Sequence, residues 1–114
     1  MSAPEIVLFS GSRECTDREV VRRDLGGLPP DSLVVEGGAR GLDRIVREEA
    51  HALGIHVATV RALWDFYGKS AGYRRNEAMA RLRPDYAFAY PLEGPGTRHM
   101  IRICEAECIP VRER

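Results

Sequence analysis

The chain has 114 residues, of which 44% are apolar, which is enough for one domain with one core and too few for two. Seventeen basic and seventeen acidic side chains give a formal net charge of zero, so no overall field would hold the chain on DNA or on an anionic membrane. We therefore interpret residues 1–114 as a single domain and do not expect nucleic acid or a membrane as its partner.

Targeting and cysteine signals are sparse in this sequence. The apolar stretch near the first residue is too short for a signal peptide, and no apolar run reaches the roughly eighteen residues of a membrane helix. The three cysteines have no CxxC spacing, which argues against both a disulfide framework and a zinc site. We expect a cytoplasmic protein with buried thiols and with no metal and no cofactor.

The first elements are predicted from apolar runs and capping signals. Residues 6–9 form a short apolar run that stops at Ser10 and Gly11, as a buried parallel strand does. Thr16 and Glu19 then have the spacing of a capping box. A helix should follow and end near residues 26–27, with its apolar face formed by Val20, Val21, Leu25 and Leu28.

A second strand and helix repeat the same order. Residues 33–35 are apolar, and the glycine-rich sequence GGARG at 37–41 leads into the next helix. Gly54 stands where a left-handed C-terminal cap is expected. The buried stripe of this helix is predicted to be Leu42, Ile45, Val46, Ala50 and Leu53.

The middle of the chain contains a third strand and a long connection. Residues 57–60 are apolar, whereas residues 62–76 are polar and aromatic with two glycines, which is typical of a functional or mobile loop. Residues 75–82 predict a short helix that ends before Pro84, with Ala78, Met79 and Leu82 facing inward.

The last third completes an alternating α/β pattern. Residues 86–90 predict a fourth strand, PLEGPGT follows at 91–97, and residues 109–111 predict a fifth strand. Apolar residues at helical spacing lie between them at Thr97, Met100, Ile101, Cys104 and Cys108, and we favour a core role over a metal pair for the two cysteines. The prediction is a Rossmann-like three-layer α/β domain with a five-stranded, mostly parallel sheet in the order 3-2-1-4-5.

Glycine-rich loops follow three of these strands. They are GSR at 11–13, GGARG at 37–41 and PLEGPGT at 91–97, and all three should meet at the carboxyl edge of the sheet, where α/β proteins bind ligands. Glycine lets backbone N–H groups approach a phosphate, and helix N-termini add free donors. Each loop taken singly is also ordinary turn chemistry, so their shared position is the argument.

Each charged or aromatic side chain near these loops has both a ligand-binding and a structural interpretation. Arg13, Arg40 and Arg75 can bind a phosphate or pair with acids. The Asp43 carboxylate can stabilise the helix dipole or bind a ligand, and the Trp64 ring can pack against the protein or stack on a base. The segment around Lys69 lacks the order GxxxxGK[ST], which excludes a Walker-type ATPase site.

The ordered motifs resemble those of a known superfamily. GSR at 11–13, EGGARGLD at 36–43, the segment 64–79, PDYAFAYP at 84–91 and GPGT at 94–97 are similar to the small YspA or YpsA-related branch of the SLOG superfamily. That superfamily includes the DNA-uptake protein DprA and the phosphoribohydrolase LOG. The resemblance implies a nucleotide or nucleotide-derived ligand at the carboxyl edge of the sheet and admits a homodimer.

Together the loops and the resemblance predict a set of ligand-binding residues. Arg75 lies in an RNxxM pattern similar to the RKxxM of the LOG enzymes, and it is our first choice for the phosphate. The predicted ligand-binding residues are Gly11, Ser12, Arg13, Gly37, Gly38, Arg40, Gly41, Asp43, Trp64, Arg75, Asn76, Gly94, Gly96 and Thr97.

The sequence departs from the enzymes at the catalytic acid. LOG-type enzymes carry a glutamate three residues after the threonine of the last loop, where this chain has Met100, and Leu92 and Glu93 reshape the loop itself. Cleavage of an N-glycosidic bond needs a carboxylate, for which Glu36, Glu93 and Glu77 are the candidates. A binding or sensing module is the first functional prediction, a nucleotide hydrolase is the alternative, and a DNA-processing accessory protein is the second alternative.

Overall fold

A computed structural model describes residues 4–90 and 95–114 of the chain. The predicted features at Leu92, Glu93 and Gly94 lie outside the described residues. The elements are β1 Ile6–Gly11, α1 Arg18–Gly26, β2 Leu33–Glu36, α2 Leu42–Ala52, β3 His56–Thr59, α3 Trp64–Tyr67, a 3-10 turn Gly68–Ser70, α4 Ala71–Arg81, β4 Tyr86–Tyr90, α5 Pro95–Ala106 and β5 Val111–Glu113.

The five strands form one parallel sheet in the order β3-β2-β1-β4-β5. This order and the α/β class confirm the prediction. β1 is the central strand, because it pairs with β2 on one side and with β4 on the other. Val7, Leu8 and Phe9 are completely buried, as expected for a strand that is covered on both faces.

Helices pack on both faces of the sheet and create two halves of the core. Side chains alternate along a strand, so Val7 and Phe9 point to one face while Leu8 points to the other. The first half-core includes Val21, Leu25, Leu42, Val46 and Phe88, together with Val7 and Phe9. The second includes Leu8, Val35, Met79, Met100 and Cys104.

Helix ends differ from the prediction at Asp17, Leu53 and Leu82 and agree with it at Gly54. The N-cap of α1 is Asp17 rather than Thr16, since the Val20 N–H donates to Asp17 Oδ1 at 3.2 Å. Gly54 has the predicted positive φ, 73°, which ends α2. Leu53 and Leu82 are not core residues, because each follows the last residue of its helix and is exposed at 48% and 43%.

The predicted long connection is largely helical. α3 and the 3-10 turn occupy residues 64–70, and α4 begins at Ala71, four residues before the predicted start. Near the end of the chain, α5 stops at Ala106, so Cys108 is exposed with φ 58°, while Cys15 and Cys104 are buried as predicted. β5 is shifted two residues toward the C-terminus relative to the predicted strand, to Val111–Glu113. No described helix is long and apolar enough to span a bilayer.

Candidate functional site

A cleft opens at the carboxyl ends of β1 and β4, between the first turn of α2, the helix α4 and the start of α5. Its volume is about 390 Å³. We call it the main cleft. The predicted site residues that line it are Gly11, Ser12, Arg13, Asp43, Trp64, Arg75, Asn76, Gly96 and Thr97.

A second hollow of about 350 Å³ adjoins the main cleft, and we call it the side pocket. Arg13, Trp64 and Arg75 line both cavities and therefore form the boundary between them. The side pocket brings in the predicted residues Gly37, Gly38 and Arg40, along with Arg61, which the glycine motifs did not indicate.

The loop after β1 owes its position to two glycines. A Cβ on Gly11 would lie 2.4 Å from Cδ2 of Leu42, so glycine allows α2 to approach the strand. Gly41 has φ 71°, and a Cβ there would lie 2.3 Å from the carbonyl oxygen of Arg13. The Leu42 N–H donates to the Ser12 carbonyl oxygen at 3.1 Å and joins the two loops. Gly41 lines neither cavity, so its role is to bring the loops together.

Arg75 projects from α4 to the boundary of the two cavities. Its NH1 group donates to the Gly37 carbonyl oxygen at 2.6 Å, and its Nε donates to Asn76 Oδ1 at 3.1 Å. Burial lowers the pKa of this guanidinium, partly offset by the Asp43 carboxyl nearby. Among the described residues Arg75 has no ion pair, and its NH2 group has no hydrogen-bond partner.

Asn76 ties α4 to the start of α5. Its Nδ2 donates to the Gly96 carbonyl oxygen at 3.1 Å and lies 3.2 Å from Nδ1 of His99. The His99 ring packs edge-on against Tyr73, with 4.4 Å between ring centroids. Burial lowers the pKa of His99. The buried Asn76 amide therefore holds the first turn of α5, with Gly96 and Thr97, against the main cleft.

Asp43 is the buried acid of the main cleft. Its side chain is 7% exposed and accepts from the Ala39 N–H at 3.2 Å. Burial raises the pKa of its carboxyl to about 7, and the negative charge of Glu36 acts in the same direction. The hydrogen bond from Ala39 and the positive charge of Arg75 oppose this rise. A carboxyl with this pKa exchanges its proton near neutral pH.

The catalytic candidates named from the sequence do not gather in the cleft. Glu36 is fully buried, where it accepts from the Gly38 N–H at 2.6 Å and from the Thr59 hydroxyl, and lies 3.7 Å from NH1 of Arg47. These contacts make it an anchor for the loop after β2. Glu77 is exposed and lines neither cavity, and Glu93 lies outside the described residues.

The position that corresponds to the LOG glutamate faces the core. Met100 is 2% exposed and packs in the half-core that contains Leu8, Met79 and Cys104. A thioether cannot supply the carboxylate that N-glycosidic cleavage requires. In the part of the chain that the structure describes, no group of three or more His, Cys, Asp or Glu is placed to hold a metal ion.

Aromatic and basic side chains form the rim of both cavities. The Arg13 guanidinium lies 5.5 Å above the ring of Trp64, which is 48% exposed. Lys69, Gly72 and Tyr73 also line the main cleft, although the glycine motifs did not indicate them. The signal for them in the sequence is the mixture of aromatic and basic residues in segment 61–75. Arg40, by contrast, pairs with Glu14 at 3.1 Å on the surface.

Known proteins resemble this chain at three levels. Residues 5–67 match the family described as YspA, cpYpsA-related SLOG family. The Gene 61 protein of Mycobacterium phage D29 is 39% identical over an alignment 115 positions long that covers 92% of each chain. DNA processing protein A (DprA) from Streptococcus pneumoniae has a similar fold, with a TM-score of 0.56 at 19% identity, over 96% of this chain and 58% of that chain.

These similarities agree with the resemblance predicted from the ordered motifs. The chain spans 58% of the DprA chain that it matches, and at 19% identity that likeness concerns the fold. The family match and the phage relative extend to the sequence itself, including the loops after β1 and β2. The chain therefore belongs to the YspA, cpYpsA-related SLOG family.

Proposed function

We propose that the main cleft binds a nucleotide or a nucleotide-derived small molecule through its phosphate. The observation that carries this proposal is the state of Arg75, a partly buried cation without an ion-pair partner among the described residues. Removing a cation from water costs free energy that a carboxylate usually offsets. Here an anionic ligand would supply that partner, since no described residue accepts a hydrogen bond from the NH2 group of Arg75.

Two further features of the cleft suit a phosphate. The first turn of α5, at Pro95, Gly96 and Thr97, lines the cleft, and a helix N-terminus presents free N–H groups and a partial positive charge. Arg13 adds a second guanidinium, which lines the main cleft and the side pocket together with Arg75. A phosphate between Arg13, Arg75 and α5 would thus receive charge-assisted hydrogen bonds from more than one direction.

The rest of the cleft suits a base and a sugar. A volume of about 390 Å³ falls in the range of about 300–1,000 Å³ that is common for small-molecule sites. Trp64 and Tyr73 offer aromatic rings for stacking, and Asp43 offers a carboxyl for a ribose hydroxyl. Because Met100 replaces the catalytic acid, we propose that the protein acts as a binding or sensing module.

Thermal unfolding with a panel of ligands tests the proposal. The panel contains nucleoside monophosphates, cyclic nucleotides, ADP-ribose and NAD. A ligand at about a hundred times its Kd should add about 2.7 kcal/mol, or several degrees in Tm. Arg75→Ala should abolish this shift, whereas Arg44→Ala, which removes an exposed arginine from α2, should keep it. Equal shifts in parent and Arg75→Ala, or none with any compound, would contradict the proposal.

A second candidate function is hydrolysis of the N-glycosidic bond of a bound nucleotide, and the position of Asp43 favours it. Its carboxyl lines the main cleft and has a pKa of about 7, close to the value that suits a general base at neutral pH. In this reaction water adds to C1′ of the ribose, the C1′–N bond breaks, and the water proton passes through Asp43 to the departing base.

Chromatography of a nucleotide incubated with the protein checks this second candidate. Free base and ribose phosphate should accumulate with the parent, and Asp43→Asn should stop their release while ligand-induced stabilisation persists. Stabilisation without any release of base would leave the binding module as the function of this cleft and exclude the hydrolase.

A further inference from the structure

Helix α3 exposes an unusual amount of apolar surface. Phe66 is 79% exposed, Leu63 58%, Trp64 48% and Tyr67 39%, and no residue of α3 is buried. Single exposed apolar residues are ordinary, but several adjacent ones in one short helix indicate a surface that binds a partner or a ligand.

Unpaired cations surround these aromatic rings. Segment 61–75 contains Arg61, Lys69, Arg74 and Arg75 against the single acid Asp65, although the whole chain is neutral. None of the four cations takes part in an ion pair within residues 4–90 and 95–114.

Several arginines on α1 and α2 are, by contrast, paired with acids. On α1 and α2, Arg18 contacts Glu48 at 2.6 Å, Arg22 contacts Glu49 at 2.9 Å, and Arg44 contacts Glu48 at 3.3 Å. The four cations of segment 61–75 thus form a local excess of positive charge that no described ion pair offsets.

Aromatic and basic side chains of this segment lie near one another in a group that we call the aromatic-basic rim. The Arg74 guanidinium lies 4.4 Å above the Tyr67 ring, and the Phe66 and Tyr67 rings meet edge-on at 4.8 Å. Trp64 and Lys69 extend this surface into the main cleft, and Arg61 extends it into the side pocket. The rim consists of Arg61, Trp64, Phe66, Tyr67, Lys69 and Arg74.

We propose that the aromatic-basic rim binds single-stranded nucleic acid. Exposed rings stack on unpaired bases, and unpaired cations contact the phosphates between them. A duplex hides the faces of its bases, so it would leave the rings without partners. A free nucleotide in the main cleft would not reach Phe66, which lines neither cavity, so this inference goes beyond the function proposed above. The neutral net charge does not oppose it, because the cations are local.

Fluorescence anisotropy with a labelled twelve-residue thymidine strand tests the inference. We expect binding at low salt, with log K falling against log salt at a slope of about −2 to −3, as three or four phosphate contacts predict. A blunt duplex of the same length should bind at least about tenfold more weakly, since it offers no unpaired bases.

Two variants and two matched controls locate the contact. Phe66→Ala should weaken strand binding about tenfold, the size of one lost stacking contact, and Arg74→Ala should reduce the salt slope by about 0.7. Leu53→Ala removes an apolar side chain at the end of α2 that is 48% exposed, against 79% for Phe66, and Arg44→Ala removes an arginine from α2. Both controls should bind within about twofold of the parent.

Other outcomes overturn the inference. Absence of strand binding at low salt would do so, as would equal losses in the controls. A dimer in sedimentation that Phe66→Ala dissociates and the strand does not would also overturn it, and would make the rim a contact between two copies. Phe66→Ala should keep any nucleotide-induced shift in Tm that the parent shows, so failure of the rim and failure of the main cleft are distinguishable.

Discussion

The NH1 group of Arg75 donates to the carbonyl oxygen of Gly37 at 2.6 Å, which fastens α4 to the loop after β2. The contact is possible because Gly37 has no side chain: a Cβ there would lie 2.6 Å from NH1 and 2.9 Å from Cζ of Arg75. One loop glycine therefore determines where the principal cation of the main cleft stands.

Gly37→Ala should displace the guanidinium of Arg75 without unfolding the protein, because a long side chain can move out of the way. We expect a nucleotide that stabilises the parent to stabilise this variant by less than half as much. Gly26→Ala is the control, since a Cβ there meets nothing within 4 Å. Thermal unfolding with and without the nucleotide gives both values, and undiminished stabilisation of Gly37→Ala would contradict the assigned role of Arg75.

Gly41→Ala should damage the fold far more than Gly54→Ala. Both glycines have a positive φ, 71° and 73°, and both variants share the cost of about 1 kcal/mol for a side chain in that region. Only Gly41 is crowded, with Arg13 backbone atoms 2.3 to 2.6 Å from a Cβ, while Gly54 has open space. Urea unfolding should show the larger loss for Gly41→Ala by at least about 2 kcal/mol. Equal losses would mean that the loops do not approach each other so closely.

Asp43→Asn should change how stability depends on pH. The native pKa of Asp43 is about 7 and its ordinary value is 3.8, so between these values the unfolded chain has released a proton that the native protein still holds. Stability of the parent therefore falls as pH rises from about 4 to about 7, by an amount on the order of a few kcal/mol. The variant lacks this loss.

Urea unfolding at pH 4, 6 and 8 measures the effect. The free energy of unfolding of Asp43→Asn, relative to the parent, should rise between pH 4 and pH 8. The amide can still accept from the Ala39 N–H, so the fold should persist. A constant difference between the two proteins over this range would show that the carboxyl is ionised as in water.

Met100→Glu, which restores the acid of the LOG enzymes, should destabilise the protein rather than create an active site. The side chain is 2% exposed beside Leu8 and Met79, so a carboxylate there would be buried without a partner. We expect a loss of about 3 kcal/mol or more, against less than about 1.5 kcal/mol for Met100→Leu. Thermal unfolding compares them, and a stable Met100→Glu variant that releases base would refute this account.

The strand order was predictable because each apolar run is followed by a helix with one apolar face. Residues 7–9 and 87–90 are buried, and apolar runs that are covered on both faces have few alternative structures. Segment 62–70 was predicted as a loop because α3 buries no residue, and an exposed helix has no apolar stripe to reveal it. Cys108 repeats the spacing of Cys104, but the helix has ended before it.

The sequence predicts which site residues lie together better than it predicts the role of each residue. The loops after β1 and β2 meet at one edge of the sheet, which topology alone predicts. Sequence order cannot tell that Glu36 turns into its own loop, toward the Gly38 N–H, or that Glu77 stays outside the cleft. No glycine motif includes Arg61 or Lys69, so only the mixture of aromatic and basic residues in segment 61–75 indicates them, and the structure places them at the side pocket and the main cleft.

Segment 61–75 carries four cations against one acid in a chain whose formal net charge is zero, so its positive charge is local. Lys69 and Arg75 of this segment line the main cleft, so part of that charge lies at its mouth. An approaching anion would turn the protein so that this mouth faces it, which raises productive encounters without any net attraction at long range. Orientation, rather than net charge, would then control how fast ligands arrive.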